Sequence, residues 1–180
     1  VRPSAGAFYD GTDLDAGLRL SEVRRVLDDP AFAAGEPTAE ADAHIGYGSW
    51  ADSYDEPGNP IIALEQPAVW SVLDSFVPGR ALDAACGTGR HARRLVDLGH
   101  QVIGIDLTPQ MLTRAAANVP EARFLRADLW EVPLRDQEFD VVVCGLALAH
   151  LSDLGGAVAE LTRVLRTGGR LVISVLHPFQ

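Results

Sequence analysis

In the stretch RALDAACGTGRHARRL, residues 80–95, an apolar run carries Asp83, passes into a glycine turn and enters an arginine-rich segment. Gly87, Gly89 and Ala92 satisfy G-x-G-x-x-G/A, the pattern of a strand-to-helix turn that brings backbone amides close to a ligand. Asp106 closes the next apolar run seventeen residues after Gly89, where a carboxylate can accept from both hydroxyls of a ribose. That spacing alone admits a nicotinamide dinucleotide. Charge points elsewhere: a pyrophosphate needs bare amides and a helix dipole, and the Asp83 carboxylate on the same strand would repel it.

A nucleoside that carries cations in place of phosphate suits these residues better. S-adenosylmethionine presents a sulfonium and an ammonium, so Asp83 is sensibly placed for its amino group, directly or through water. The glycines would let the backbone approach the nucleoside.

The elements that must position these groups follow from patterning. Short apolar runs at RALDAA, QVIGID, ARFLRAD, FDVVVCG and GRLVISVL are what strands covered on both faces require. They predict a parallel sheet with crossover helices. Thr108 and Pro109 open one helix at PQMLTRAAANV; Ser152 opens another at DLGGAVAELTRVLR, which Gly168 and Gly169 close. Ahead of the sheet, residues 1–17 read as a mobile arm, and Leu20, Val23 and Leu27 repeat at helical spacing until Pro30. Tyr47, Trp50 and Tyr54 fall three and four residues apart, on one face of a helix. The expected division is an arm and helix over 1–42, a helical cap or lid over 43–79, and a cofactor-binding domain over 80–180.

LDAACGTG, VIGIDLTPQML, ADLWEVPL, FDVVVCGLALAHL and LTRVLRTGGRLVIS occur in order and at suitable intervals. Together they resemble the class I S-adenosylmethionine-dependent methyltransferases, most closely the type 11/25-like small-molecule branch that often has VLRPGG before its fifth strand. The resemblance covers about residues 80–177. It implies an α/β, Rossmann-like, doubly wound parallel sheet of order 3-2-1-4-5. The cofactor would be S-adenosyl-L-methionine and the product S-adenosyl-L-homocysteine. Asp83, Ala85, Gly87 and Gly89 would line its methionine end, and Asp106 would take the ribose hydroxyls. Leu107 and Met111 would flank the adenine, Asp128 would accept from its amine, the Leu129 amide would meet a ring nitrogen, and Leu146 would lie near the transferred methyl. Tyr47 and Tyr54 would cover the cofactor. Ala85 replaces the first glycine of the family's loop, so ordinary backbone geometry is expected there. The family continues for two strands beyond this sequence, so a C-terminally incomplete sheet is expected, with an open fifth strand that could pair in a homodimer.

His150, after the fourth apolar run, could take a proton from an acceptor, or could simply bond locally at a helix start. Arg90 reads as a solvated face, with a contact to the cofactor carboxylate as the alternative. His44, His91 and His100 have no metal-ligand spacing, and no metal is expected. Cys86 and Cys144 read as reduced, part-buried thiols.

Composition bounds the partners. The 180 residues, 47% hydrophobic, suffice for one sizeable core. The net charge is −10, and residues 1–60 hold twelve acids against four arginines. Such a balance is a poor footprint for nucleic acid and favours a small-molecule methyl acceptor. No run has membrane-spanning length, and a cytoplasmic protein is expected. Two other functions fit less well: a non-catalytic or regulatory S-adenosylmethionine-binding module, and an NAD-dependent oxidoreductase.

Overall fold

The computed structural model describes residues 59–176, together with Arg25 and Tyr54. The expected arm, the helix of Leu20 to Leu27, Tyr47, Trp50 and His44 lie outside the described residues. Residues 59–176 and Tyr54 belong to one compact unit spanning residues 42–180.

Five parallel strands form one sheet of order β3-β2-β1-β4-β5: β1 Arg80–Ala84, β2 Gln101–Asp106, β3 Arg123–Arg126, β4 Phe139–Gly145 and β5 Leu165–Ser174. The helices are α1 Pro60–Leu73, α2 Arg90–Asp97, α3 Pro109–Asn118 and α4 Leu154–Val164, with a 3-10 turn at Leu148–His150. The inner strands are mainly apolar because both faces are covered, Asp83 of β1 being the buried exception. Leu82, Ala84, Val142 and Cys144 pack with Ala157, Leu161 and Val164 of α4. On the other face Ala81, Val141 and Val143 pack with Val69 and Leu73 of α1 and Ala92 and Leu95 of α2. Alternation along β1 therefore turns Asp83, two residues from Ala81, toward α2.

The β1 register, Ala81 opposite Val102 and Val141, brings the C-terminal ends of β1, β2 and β4 to one edge. Asn59 caps α1 by accepting from the Ile61 and Ile62 amides, and Pro60 occupies its first turn. Thr108 precedes α3 as expected, with Pro109 as its first residue.

Two boundaries differ from expectation. The cap of α4 is Asp153, whose carboxylate accepts from the Gly156 amide at 2.9 Å. The same helix ends at Val164, not at Gly168 and Gly169. There the Gln137 and Glu138 amides bond the Arg163 and Val164 carbonyls, and Leu165 is already extended opposite Phe139. Pairing then jumps to Val141 opposite Arg170, so the two glycines serve a bulge at the start of β5, where Gly168 has φ +80°.

Candidate functional site

The order of the strands reverses between β1 and β4, where the following loops diverge. A cavity of about 420 Å³ opens at that point, lined by Ala85 and Gly87 after β1, Asp106 to Thr108 and Met111 after β2, and residues 127–130 after β3. Gly145 at the end of β4, residues 146–147 and 150–152 beyond it, and Tyr54 complete its wall.

The turn after β1 is held from beneath. The Cys86 amide donates to the Ile105 carbonyl at 2.9 Å, and the Gly89 amide to the Cys86 carbonyl at 2.9 Å. Ala85, Gly87 and Gly89 have φ of +55°, +53° and +88°. Ordinary geometry at Ala85 is thus not what forms. The chain must reverse at once after β1 to pair Cys86 with β2, and Ala85 bears a left-handed conformation costing about 1–2 kcal/mol. At Gly87 an added Cβ would meet nothing within 4 Å, so this glycine faces open space. At Gly89 it would meet Val119 at 3.1 Å and Ala115 at 3.4 Å. Gly89 therefore permits close approach of the turn to α3.

Two carboxylates flank this turn. Asp106 accepts from the Gly87 amide at 2.9 Å and, through its other oxygen, from the Thr108 amide at 2.8 Å. Asp83 is fully buried; one oxygen accepts from the Ala92 amide at 2.7 Å and the other, Oδ1, has no partner. Burial pushes its carboxyl up to about 6, against the lowering influence of His91, the Ala92 amide and Arg90. Asp128 accepts from the Trp130 amide at 3.0 Å, closing an Asx turn, and the Trp130 indole donates to the Asp153 carbonyl at 2.7 Å.

Of the residues expected from sequence, Ala85, Gly87, Asp106, Leu107, Met111, Asp128, Leu129, Leu146, Tyr54 and His150 line the cavity. Asp83 and Gly89 are not among its lining residues, and Tyr47 is outside the described residues. Both cysteines are buried free thiols, fully packed instead of half-exposed, and burial pushes Cys144 up to about 12. Neither is a nucleophile at neutral pH.

Arg90 is not a solvated residue. It donates to Glu65 of α1 at 2.6 Å, and the two side chains are 13% and 8% exposed. His91 Nε2 lies 3.2 Å from the other Glu65 oxygen, which also accepts from the Ser174 hydroxyl at 2.6 Å. Sequence reasoning missed this cluster. One signal was available: Arg90 and His91 open a helix, where the dipole disfavours cations, so a carboxylate partner was owed.

The five-stranded parallel sheet, with its ligand-sized cavity at the reversal, is a Rossmann-like class I methyltransferase fold. Residues 82–173 match the family model described as a methyltransferase domain, and the chain belongs to that family, on the S-adenosylmethionine-dependent branch expected from its motifs. It is 35% identical over 150 residues to malonyl-[acyl-carrier protein] O-methyltransferase of Yersinia pestis, covering 83% of this chain and 52% of that protein. It is 33% identical over 126 residues to demethylmenaquinone methyltransferase of Renibacterium salmoninarum, covering 67% and 53%. Among solved structures, the S-adenosylmethionine dependent methyltransferase from Mesorhizobium loti matches with a TM-score of 0.58 and 35% identity over 63% of this chain and 53% of that one. The chain thus spans about half the length of the relatives it matches.

Proposed function

We propose that this chain binds S-adenosylmethionine and transfers its methyl group to an O, N or C nucleophile of a small molecule or acyl substrate. The observation that carries the reading is the charge of the cavity: Asp106 and Asp128 line it, no arginine among the described residues does, and Asp83, buried with one oxygen unpartnered, stands on β1 just before the turn. Such a site suits a cationic nucleoside and opposes a pyrophosphate, which also argues against the nicotinamide alternative.

The residues fit that cofactor in named places. Asp106, fixed by two amides, would accept from the ribose hydroxyls; Leu107, Met111 and Leu129 would enclose the adenine, with Asp128 at its edge. Gly87 leaves room at the turn, and Asp83 Oδ1 would answer the ammonium through the one buried valence it has open. Tyr54 and Leu146 would exclude water around the methyl group. When bound, the cofactor supplies an electrophilic methyl already activated by its sulfonium. The protein's contribution is alignment of the acceptor, which effective concentration makes worth about 7–11 kcal/mol. His150, at the rim, would receive the acceptor's proton.

The two curated relatives are named for a malonyl-carrier oxygen and for demethylmenaquinone, and this diversity keeps the acceptor assignment at the level of small-molecule or acyl groups. No helix among the described residues is long and apolar enough to cross a membrane, in keeping with a cytoplasmic location.

Parallel calorimetric titrations with S-adenosylmethionine, S-adenosylhomocysteine and NADH test the proposal. Binding of the first two without NADH is the expected result. Binding of NADH alone would overturn it.

A further inference from the structure

The Glu65 cluster meets the cavity wall at the Gly145–Leu146 peptide. Leu146 is a β4-end residue with φ +58°, a conformation that a leucine keeps only when its surroundings impose it. Its amide donates to the Ser174 carbonyl at 2.9 Å and to the Ser174 hydroxyl oxygen at 3.1 Å. That hydroxyl in turn donates to Glu65 at 2.6 Å, and Glu65 is anchored by Arg90 and His91. The preceding residue must be glycine for the cluster to fit, since a Cβ on Gly145 would lie 2.5 Å from His91 Nε2 and 3.0 Å from Glu65 Oε1.

A continuous chain of hydrogen bonds therefore runs from α1 through β5 to the strained turn that lines the cavity. Burial raises the Glu65 carboxyl, yet the hydrogen bonds of His91 and Ser174 and the coulombic pull of His91 and Arg90 hold it at about 2. It is ionised at any working pH, so it always accepts and leaves the Ser174 proton pointed toward itself. The Ser174 lone pairs then face the Leu146 amide.

We infer that Glu65 is a positioning residue for the proposed methyl-transfer site, fixing the Leu146 turn through the Ser174 hydroxyl. It touches neither cofactor nor acceptor in this role. The inference rests on the cavity being the S-adenosylmethionine site. It further makes α1, which lies outside the stretch matched by the family model, a part of the cofactor site's architecture.

The test is calorimetric affinity for S-adenosylhomocysteine, read beside thermal unfolding, in wild type, Ser174→Ala, Ser174→Thr, Glu65→Gln and the Glu65→Gln/Ser174→Ala pair. Ser174→Ala, which removes the hydroxyl acceptor of the Leu146 amide, should weaken affinity about tenfold, while Ser174→Thr, which keeps the hydroxyl, stays within about twofold. Glu65→Gln, which keeps an acceptor for Ser174 but loses the charge, should weaken affinity less than Ser174→Ala, and the pair should be no worse than Ser174→Ala alone, because both act along one path. Equal affinity of Ser174→Ala and wild type would overturn the inference, as would full additivity in the pair. If Glu65→Gln does not fold, the Ala-versus-Thr contrast at Ser174 decides. Absence of S-adenosylhomocysteine binding by wild type would remove the underlying site assignment and the inference with it, a result separable from a failure at Ser174 alone.

Discussion

The Asp106 carboxylate grips the Gly87 amide at 2.9 Å, tying the end of β2 to the turn after β1. One side chain thus shapes the turn and presents its acceptors to the cavity. Asp106→Ala should lose both roles. With each charged hydrogen bond worth roughly 1.5–3 kcal/mol, S-adenosylhomocysteine affinity should fall at least about tenfold. The midpoint of thermal unfolding should also drop, because the Gly87 and Thr108 amides lose their acceptor. Calorimetry and thermal melts on the same preparation check both; unchanged affinity would reject the ribose role.

Gly87 and Gly89 separate folding from binding. Both have positive φ, but a Cβ at Gly87 would enter open space and one at Gly89 would press on Val119 and Ala115. Gly87→Ala should cost about 1–2 kcal/mol of stability from backbone strain and lose most S-adenosylhomocysteine affinity by filling the cavity side. Gly89→Ala should cost more stability, since α3 must move as well. Denaturant unfolding paired with ligand titration distinguishes them, and equal losses in both assays would contradict the assignment.

The sheet was legible because parallel strands covered on both faces leave mainly apolar runs, and the place of Asp106 beside the glycine turn was legible because its spacing is fixed by one strand, one turn and one helix. Ala85 misled because its conformation is imposed by the Cys86–Ile105 hydrogen bond, a contact between strands that no local preference encodes. Helix α1 carries Pro67 in its interior and exposes Leu64 and Val72 while burying Val69 and Leu73, so it shows no clean apolar stripe. Glu65 was invisible for a different reason. Its partners stand 25, 26 and 109 residues along the chain, and only the closed sheet brings them to one carboxylate.

Ala85 itself offers a gain. An L-residue at φ +55° is strained by about 1–2 kcal/mol, and glycine there relieves the strain while costing about 0.5–1 kcal/mol in unfolded-chain entropy. Ala85→Gly should therefore be neutral to about 1 kcal/mol more stable in denaturant unfolding. A clear loss of stability would show that the alanine methyl makes packing contacts that outweigh its strain.

Asp83 should give the proposed site a pH dependence. Its folded carboxyl titrates near 6, raised from 3.8 chiefly by burial, so the folded state holds the proton more tightly than the unfolded state does. The associated stability is complete below pH 3.8 and lost as pH rises through 6, a difference of about 3 kcal/mol at about 1.4 kcal/mol per unit. Glu65 runs the other way: its stabilisation is present above 4.5 and lost as pH falls toward 2, so the two windows overlap only near pH 4. Asp83→Asn should accordingly raise stability at pH 7 and flatten the profile between pH 4 and 6. Ligand binding inverts this preference, because only the ionised carboxylate answers an ammonium. S-adenosylhomocysteine should bind about tenfold more weakly at pH 5 than at pH 7, the ratio of ionised Asp83 at those two values, and binding near pH 6 should release about half a proton. In Asp83→Asn both the pH slope and the proton release should vanish. Calorimetry in two buffers of different ionisation enthalpy measures the proton directly, and a wild-type affinity that does not change between pH 5 and 7 would remove Asp83 from the cofactor's amino group.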